Sequence, residues 1–214
     1  MEANKIEIET LIISLAAVFC VELSTRVVVS QGLCYPMVIL GTARLLEIIL
    51  ITLIVMIWGK GLSSIGLARS KMLSGLKRGM IWSAGFAVVA SFVFLVLFAA
   101  GINALTLLRT DLPPRPSEIA LFFLIGGIVG PIAEELFFRG MLYGFFRRWG
   151  VAAGIVFTTV IFVLTHQLSH GAPLTQAVGG IVFAVAYEVE GSLIAPIAIH
   201  ILGNLAIFTF SLIS

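Results

Sequence analysis

The sequence predicts an all-α, polytopic transmembrane helical bundle. Three observations carry this. Of its 214 residues, 60% are hydrophobic and only 11% are charged, whereas soluble domains run at about 45–50% apolar and about 25% charged. Mean hydropathy is +1.15, more apolar surface than a soluble fold of this size can bury, so lipid must solvate much of it. The apolar residues also fall into runs near the roughly 20 residues that a spanning helix needs.

Seven such runs are readable: 10–29, 36–58, 80–101, 118–138, 151–168, 174–187 and 193–213. The fifth and sixth are short, and the sixth reads as tilted or partly re-entrant. An eighth element fits within 62–76, lying on the membrane surface, so the expected count is seven to eight helices. Residues 112–116, Leu-Pro-Pro-Arg-Pro, read as an extended connector, because each proline removes an amide donor and restricts its predecessor. With no Ser/Gly linker and no internal repeat, residues 1–214 read as one membrane domain.

The charges orient the set. Lys60, Arg69, Lys71, Lys77 and Arg78 follow the second run, and Arg139, Arg147 and Arg148 follow the fourth. Both groups share one side if the N-terminus is cytoplasmic, as the excess of basic residues in cytoplasmic loops requires. Arg109 and Arg115 on the other side are offset by Asp111 and Glu118. The N-terminal residues carry Glu2, Glu7 and Glu9 against Lys5, which does not suit a cleaved signal peptide, so the first helix is expected to remain as an anchor. A net charge of +2 gives no reason to expect nucleic acid as a partner. Cys20 and Cys34 read as unpaired small hydrophobes.

A charge at the centre of a spanning helix costs about 2.5–3.5 kcal/mol, so each one needs a partner or a function. Glu22 with Arg26 and Arg44 with Glu47 are spaced for ion pairs along a helix face, or for pairing across the first two helices. The stretch Gly130-Pro-Ile-Ala-Glu-Glu-Leu-Phe-Phe-Arg-Gly140 is different. Glu135 and Arg139 stand at i,i+4, while Glu134 points about a third of a turn away. One carboxylate is then held and its neighbour is left available to react. Pro131 opens or kinks this helix just before the pair.

Two further spans carry a histidine one turn from a second group: Phe162 with His166, and His200 with Asn204. The remaining histidine, His170, falls in a loop and reads as solvated. A lone membrane histidine often serves only as an interhelical hydrogen-bond group, and Asn204 alone is more often glue than catalyst. Together with Glu134, however, these residues are the parts for hydrolysing an amide without a nucleophilic side chain.

The ordered set Glu134-Glu135-x-x-x-Arg139, Phe162-x-x-x-His166 and His200-x-x-x-Asn204 resembles the motifs of the CAAX-prenyl-protease and bacteriocin-processing (Abi) family of intramembrane proteases. The likeness covers about 118–210, the expected catalytic core. It implies that Glu134 and His166 orient and deprotonate the attacking water, that His200 and Asn204 stabilise the oxyanion, and that Glu135, Arg139 and Phe162 support them. It implies an endopeptidase acting on a membrane-anchored or lipid-modified protein near its C-terminus, in an all-helical bundle, without a metal cofactor; compactness and charge pattern suggest the inner membrane. Zinc held by Glu134, His166 and His200 stays open as the alternative, since these supply three suitable donors and one open position. A non-catalytic immunity or scaffold protein of the same fold, and a proton-coupled transporter, are the rival functions. The resemblance leaves the substrate, the lipid and the oligomeric state open.

Overall fold

A computed structural model describes residues 6–32, 35–103, 108–166 and 173–213. Cys34 and His170 lie outside the described residues, while Cys20 is an exposed free thiol on the first helix. The described residues form seven helical rods. They are α1 (Ile8–Ser30), α2 (Pro36–Ile57), α3 (Met72–Ala99), α4 (Pro116–Trp149), α5 (Val151–His166), α6 (Pro173–Glu190) and α7 (Ile194–Ile213). Prolines at the first turn start α2 and α4, where a missing N–H costs nothing.

Five stretches are long and apolar enough to cross a membrane: α1, α2, the segment Leu62–Ala99 that contains α3, α4 and α7. The protein is therefore a multi-pass membrane protein. α5 is apolar but has only 16 residues. α6 carries Gln176, Glu188 and Glu190 and is not among the five.

Two expectations need correction. The fourth span does not stop at 138. α4 runs on to Trp149, because Gly140, Met141, Leu142, Tyr143 and Phe145 are buried and continue its packing face. Arg139 is consequently inside the bundle and fully buried, not in a loop. The segment 62–76 is not a surface helix. It forms two short 3₁₀ turns, Leu62–Ile65 and Arg69–Lys71, and then enters α3. Of the two pairings open to Glu22, the one across the first two helices forms, to Arg44 on α2 at 2.6 Å, and the one to Arg26 along α1 does not. The expected pair of Arg44 and Glu47 forms at 2.5 Å.

One end of the bundle is stapled by polar contacts. The Ile6 amide donates to the Gly144 carbonyl, and Arg148 donates to the Ile6 carbonyl. Thr10 donates to the Trp58 carbonyl, and Leu193 N–H to the Gly66 carbonyl. Arg147 takes both oxygens of Glu188, which also accepts from Tyr143. Two tight turns close this end. Gly150 (φ +109°) links α4 to α5, and Gly191 (φ +58°) links α6 to α7. Both sit at positive φ, which glycine alone adopts without a Cβ penalty.

α3 leans on α7 through small residues. A Cβ at Gly79 would stand 2.8 Å from the Ala195 carbonyl and 2.8 Å from Ala198 Cβ, so the helices touch backbone to backbone there. Further along α3, a Cβ at Gly85 meets nothing within 4 Å. Gly79→Leu should therefore destabilise the protein by about 1–3 kcal/mol, read by thermal unfolding in detergent. Gly85→Leu should stay within about 0.5 kcal/mol of the parent.

Candidate active site

The hairpin of α4 and α5 sets the depth of the site. Glu134 precedes Gly150 by 16 residues and His166 follows it by 16, so an antiparallel hairpin brings the two level. α7 packs against the Gly130–Glu135 segment and delivers His200 to the same level. Glu134 Oε2 lies 3.7 Å from His166 Nε2 and 3.8 Å from His200 Nε2. The carboxylate and both imidazoles expected from the sequence thus converge.

α4 is not a regular helix around this point. It widens into π turns at Ile125–Val129, returns to α at Gly130–Glu135 and widens again at Leu136–Tyr143. Pro131 cannot donate to the preceding turn, which accounts for the change at the first boundary. The extra residue per π turn re-aims the side chains on either side, and Glu134 and Glu135 fall in the short α segment between the two.

The adjacent carboxylates have separate tasks. Glu135 is fully buried. Its Oε1 accepts from Arg139 at 3.0 Å and from His200 Nδ1 at 2.8 Å. Arg139, also fully buried, donates a second bond to the Gly180 carbonyl of α6 at 3.1 Å. Its guanidinium stands over the rings of Phe162 and Phe183, 4.9 and 5.2 Å from their centroids. Glu134 is 23% exposed, and its Oε2 makes no hydrogen bond within the protein. Arginine therefore neutralises one carboxylate, and the other faces the imidazoles.

The tautomers follow from the partners. His166 Nδ1 lies 2.8 Å from the Phe162 carbonyl, which only accepts, so Nδ1 carries the proton. His200 Nδ1 donates in the same way to Glu135. When neutral, both rings turn an unprotonated Nε2 toward Glu134. Phe162 packs on His166 at 4.3 Å, and Phe183 stacks on His200 at 4.5 Å with 21° between the planes.

Asn204 has a different placement from the rest. Its amide donates to the Gly126 carbonyl at 2.9 Å, tying α7 to the first π turn of α4. One of its two N–H groups is thereby used. Sequence reading did not single out Phe183, the Gly180 carbonyl or Gly126. These residues matter only through contacts between helices, and no spacing along the chain marks them. Among the described residues no group of three His, Cys, Asp or Glu side chains is spaced to hold a metal ion.

The fold and site define a multi-pass membrane protein with a carboxylate–imidazole cluster within its helices. The family model described as Type II CAAX prenyl endopeptidase Rce1-like matches residues 116–206, the segment from α4 through most of α7. Glu134, Glu135, Arg139, Phe162, His166, His200 and Asn204 all lie inside it. A curated relative, the membrane-embedded CAAX protease MroQ of Staphylococcus aureus (strain USA300), is 33% identical over 104 residues. That alignment takes in 45% of this chain and spans 42% of the relative's length. No solved structure matches the chain.

Removing the guanidinium should leave Glu135 as an uncompensated buried charge. Arg139→Met is expected to cost about 3–5 kcal/mol of stability, measured by thermal unfolding in detergent. The double variant Glu135→Leu/Arg139→Met should recover a large part of that loss. A strictly additive double variant would contradict the pairing.

Proposed function

We propose that the chain is an intramembrane endopeptidase in which Glu134 and His166 activate water to hydrolyse a peptide bond. The observation that carries this reading is the geometry of Glu134. Its Oε2 has no protein hydrogen bond, yet it stands 3.7 and 3.8 Å from two imidazole nitrogens. That separation is too long for a direct hydrogen bond and suits a water bound between the groups. Glu134 takes a proton from this water while His166 Nε2 orients it, and the oxygen attacks the carbonyl carbon. The carbonyl becomes a tetrahedral oxyanion. His200, entering the step as an imidazolium protonated from solvent, stabilises it through Nε2–H and keeps that proton throughout, helped by the remaining Asn204 N–H. The proton held by Glu134 then passes to the leaving nitrogen as the C–N bond breaks, giving a free acid and an amine.

The setting and the relatives support the proposed substrate class, a membrane-anchored or lipid-modified protein cut near its C-terminus, because helices of lipid-crossing length carry the cluster. The matching family is described as a prenyl endopeptidase and the relative is named a CAAX protease. We place the protein in the cell's inner membrane with its N-terminus cytoplasmic, because Lys60, Arg69, Lys71, Lys77, Arg78, Arg147 and Arg148 gather at one end of the bundle. The reaction in this reading uses no metal.

C-terminal peptides of the membrane proteome, compared between cells with the parent chain and with Glu134→Ala, test the proposal. The variant should fold normally and lose cleavage by at least about 100-fold, as should His166→Ala. New C-termini appearing equally in both strains would remove the protease reading and favour an immunity or scaffold role. Proton flux in liposomes that depends on Glu134, without cleavage, would favour a transporter.

A further inference from the structure

The geometry points to a buried water site that locks the supporting ion pair of the cluster, with Thr159 of α5 as its anchor. Three buried polar atoms near Arg139 have no hydrogen-bond partner in the protein. They are Glu135 Oε2, Arg139 Nε and Thr159 Oγ1. Glu135 and Arg139 are fully buried, and Thr159 is 8% exposed. Buried orphans of this kind are rare, and each costs a desolvation penalty unless something satisfies it.

Gly180 joins the three. Its carbonyl accepts from Arg139 at 3.1 Å, while a Cβ built on it would stand 2.9 Å from Thr159 Cγ2 and 3.3 Å from Oγ1. Thr159 therefore packs in direct contact with the α6 residue whose carbonyl holds the guanidinium. Glu135 reaches the same guanidinium through its other oxygen.

Thr159 also behaves unlike its neighbours. Of the other buried hydroxyls described, Thr10, Ser14, Thr158 and Ser192 each donate to a backbone carbonyl. Thr158, the adjacent residue on the same helix, bonds the Gly154 carbonyl one turn back at 2.6 Å. Thr159 makes no such bond to Ile155, so its hydroxyl remains available to a group outside the helix backbone.

The donor and acceptor inventory fits one water molecule. Arg139 Nε–H only donates, Glu135 Oε2 only accepts and the hydroxyl does either. A water accepting from Nε, donating to Oε2 and sharing its remaining capacity with Oγ1 satisfies all three, within the two to four partners usual for buried water. It fixes the tilt of the Arg139–Glu135 pair and, through Glu135, the ring of His200. Thr159 is thus a positioning residue. The water site is independent of the hydrolytic reading, and only its effect on turnover rests on that reading.

A high-resolution structure of the full chain in a lipid nanodisc, with Thr159→Val and Thr159→Ser beside it, tests this. The parent and Thr159→Ser should show one ordered water within about 2.7–3.2 Å of Oγ1 and of Nε or Oε2. Thr159→Val should lose it, shift the ¹⁵N signals of the His200 ring and cut cleavage by about fivefold to tenfold, with Thr159→Ser close to the parent. A Thr159 hydroxyl bonded to the Ile155 carbonyl with no water beside Arg139 would overturn the site. So would an unchanged water in Thr159→Val. If that variant does not fold, the density of the parent decides. If Glu134→Ala still cleaves while the water behaves as described, the protease mechanism falls and the water site stands.

Discussion

The buried pair of Arg139 and Glu135 is the interaction on which the rest of the site depends. An unpaired charge at this depth would cost several kcal/mol, so the pair persists only because every side of it is held. Arg139 donates to Glu135 and to the Gly180 carbonyl, and the rings of Phe162 and Phe183 cover its faces. Glu135 in turn holds His200 Nδ1. One ion pair thereby ties α4, α5, α6 and α7 at a single depth. The consequence is chemical: with arginine committed to Glu135, the adjacent Glu134 faces two imidazoles.

Much of this was legible in the sequence, for identifiable reasons. The spacing of Glu135 and Arg139 fixes a contact along one helix, and it is made at 3.0 Å. Glu134, one position earlier, had to point elsewhere. Counting outward from Gly150 already levels Glu134 with His166. The apolar runs located all seven helices of the described residues, because lipid-facing residues need only be hydrophobic and their pattern is local. What the sequence hid was set by packing between helices. Residue 138 looked like the end of a span because Arg139 followed it, yet Phe162 and Phe183 make that arginine a core residue. The spacing left Glu22 open to Arg26 or to a partner across the first two helices, and only packing decides for Arg44. Asn204 looked like a catalytic amide, and the structure commits one of its donors to Gly126, a partner 78 residues away in the chain.

The two halves of the molecule differ in what they share with other proteins. Residues 116–206 carry the family likeness and every residue of the cluster. The helices before them contribute a second intramembrane charge network, in which Arg44 bridges Glu22 and Glu47 across α1 and α2. α2 packs on the Gly130–Glu135 segment, so this network lies beside the turn that bears Glu134. α3, by contrast, touches α7 through Gly75 and Gly79 and leaves its second half to lipid. The site is thus fixed from α2 and from α4 to α7, and the first half of α3 braces α7 from behind.

Convergence of one carboxylate and two imidazoles within the helices is the claim that everything else needs. An experimental structure of the protein in a lipid bilayer measures it directly. Glu134 Oε2 should stand near 3.7 Å from His166 Nε2 and near 3.8 Å from His200 Nε2, with density for a water between them. A Glu134 side chain turned outward to lipid, or lying beyond roughly 10 Å from both rings and so far outside hydrogen-bond reach, would contradict it.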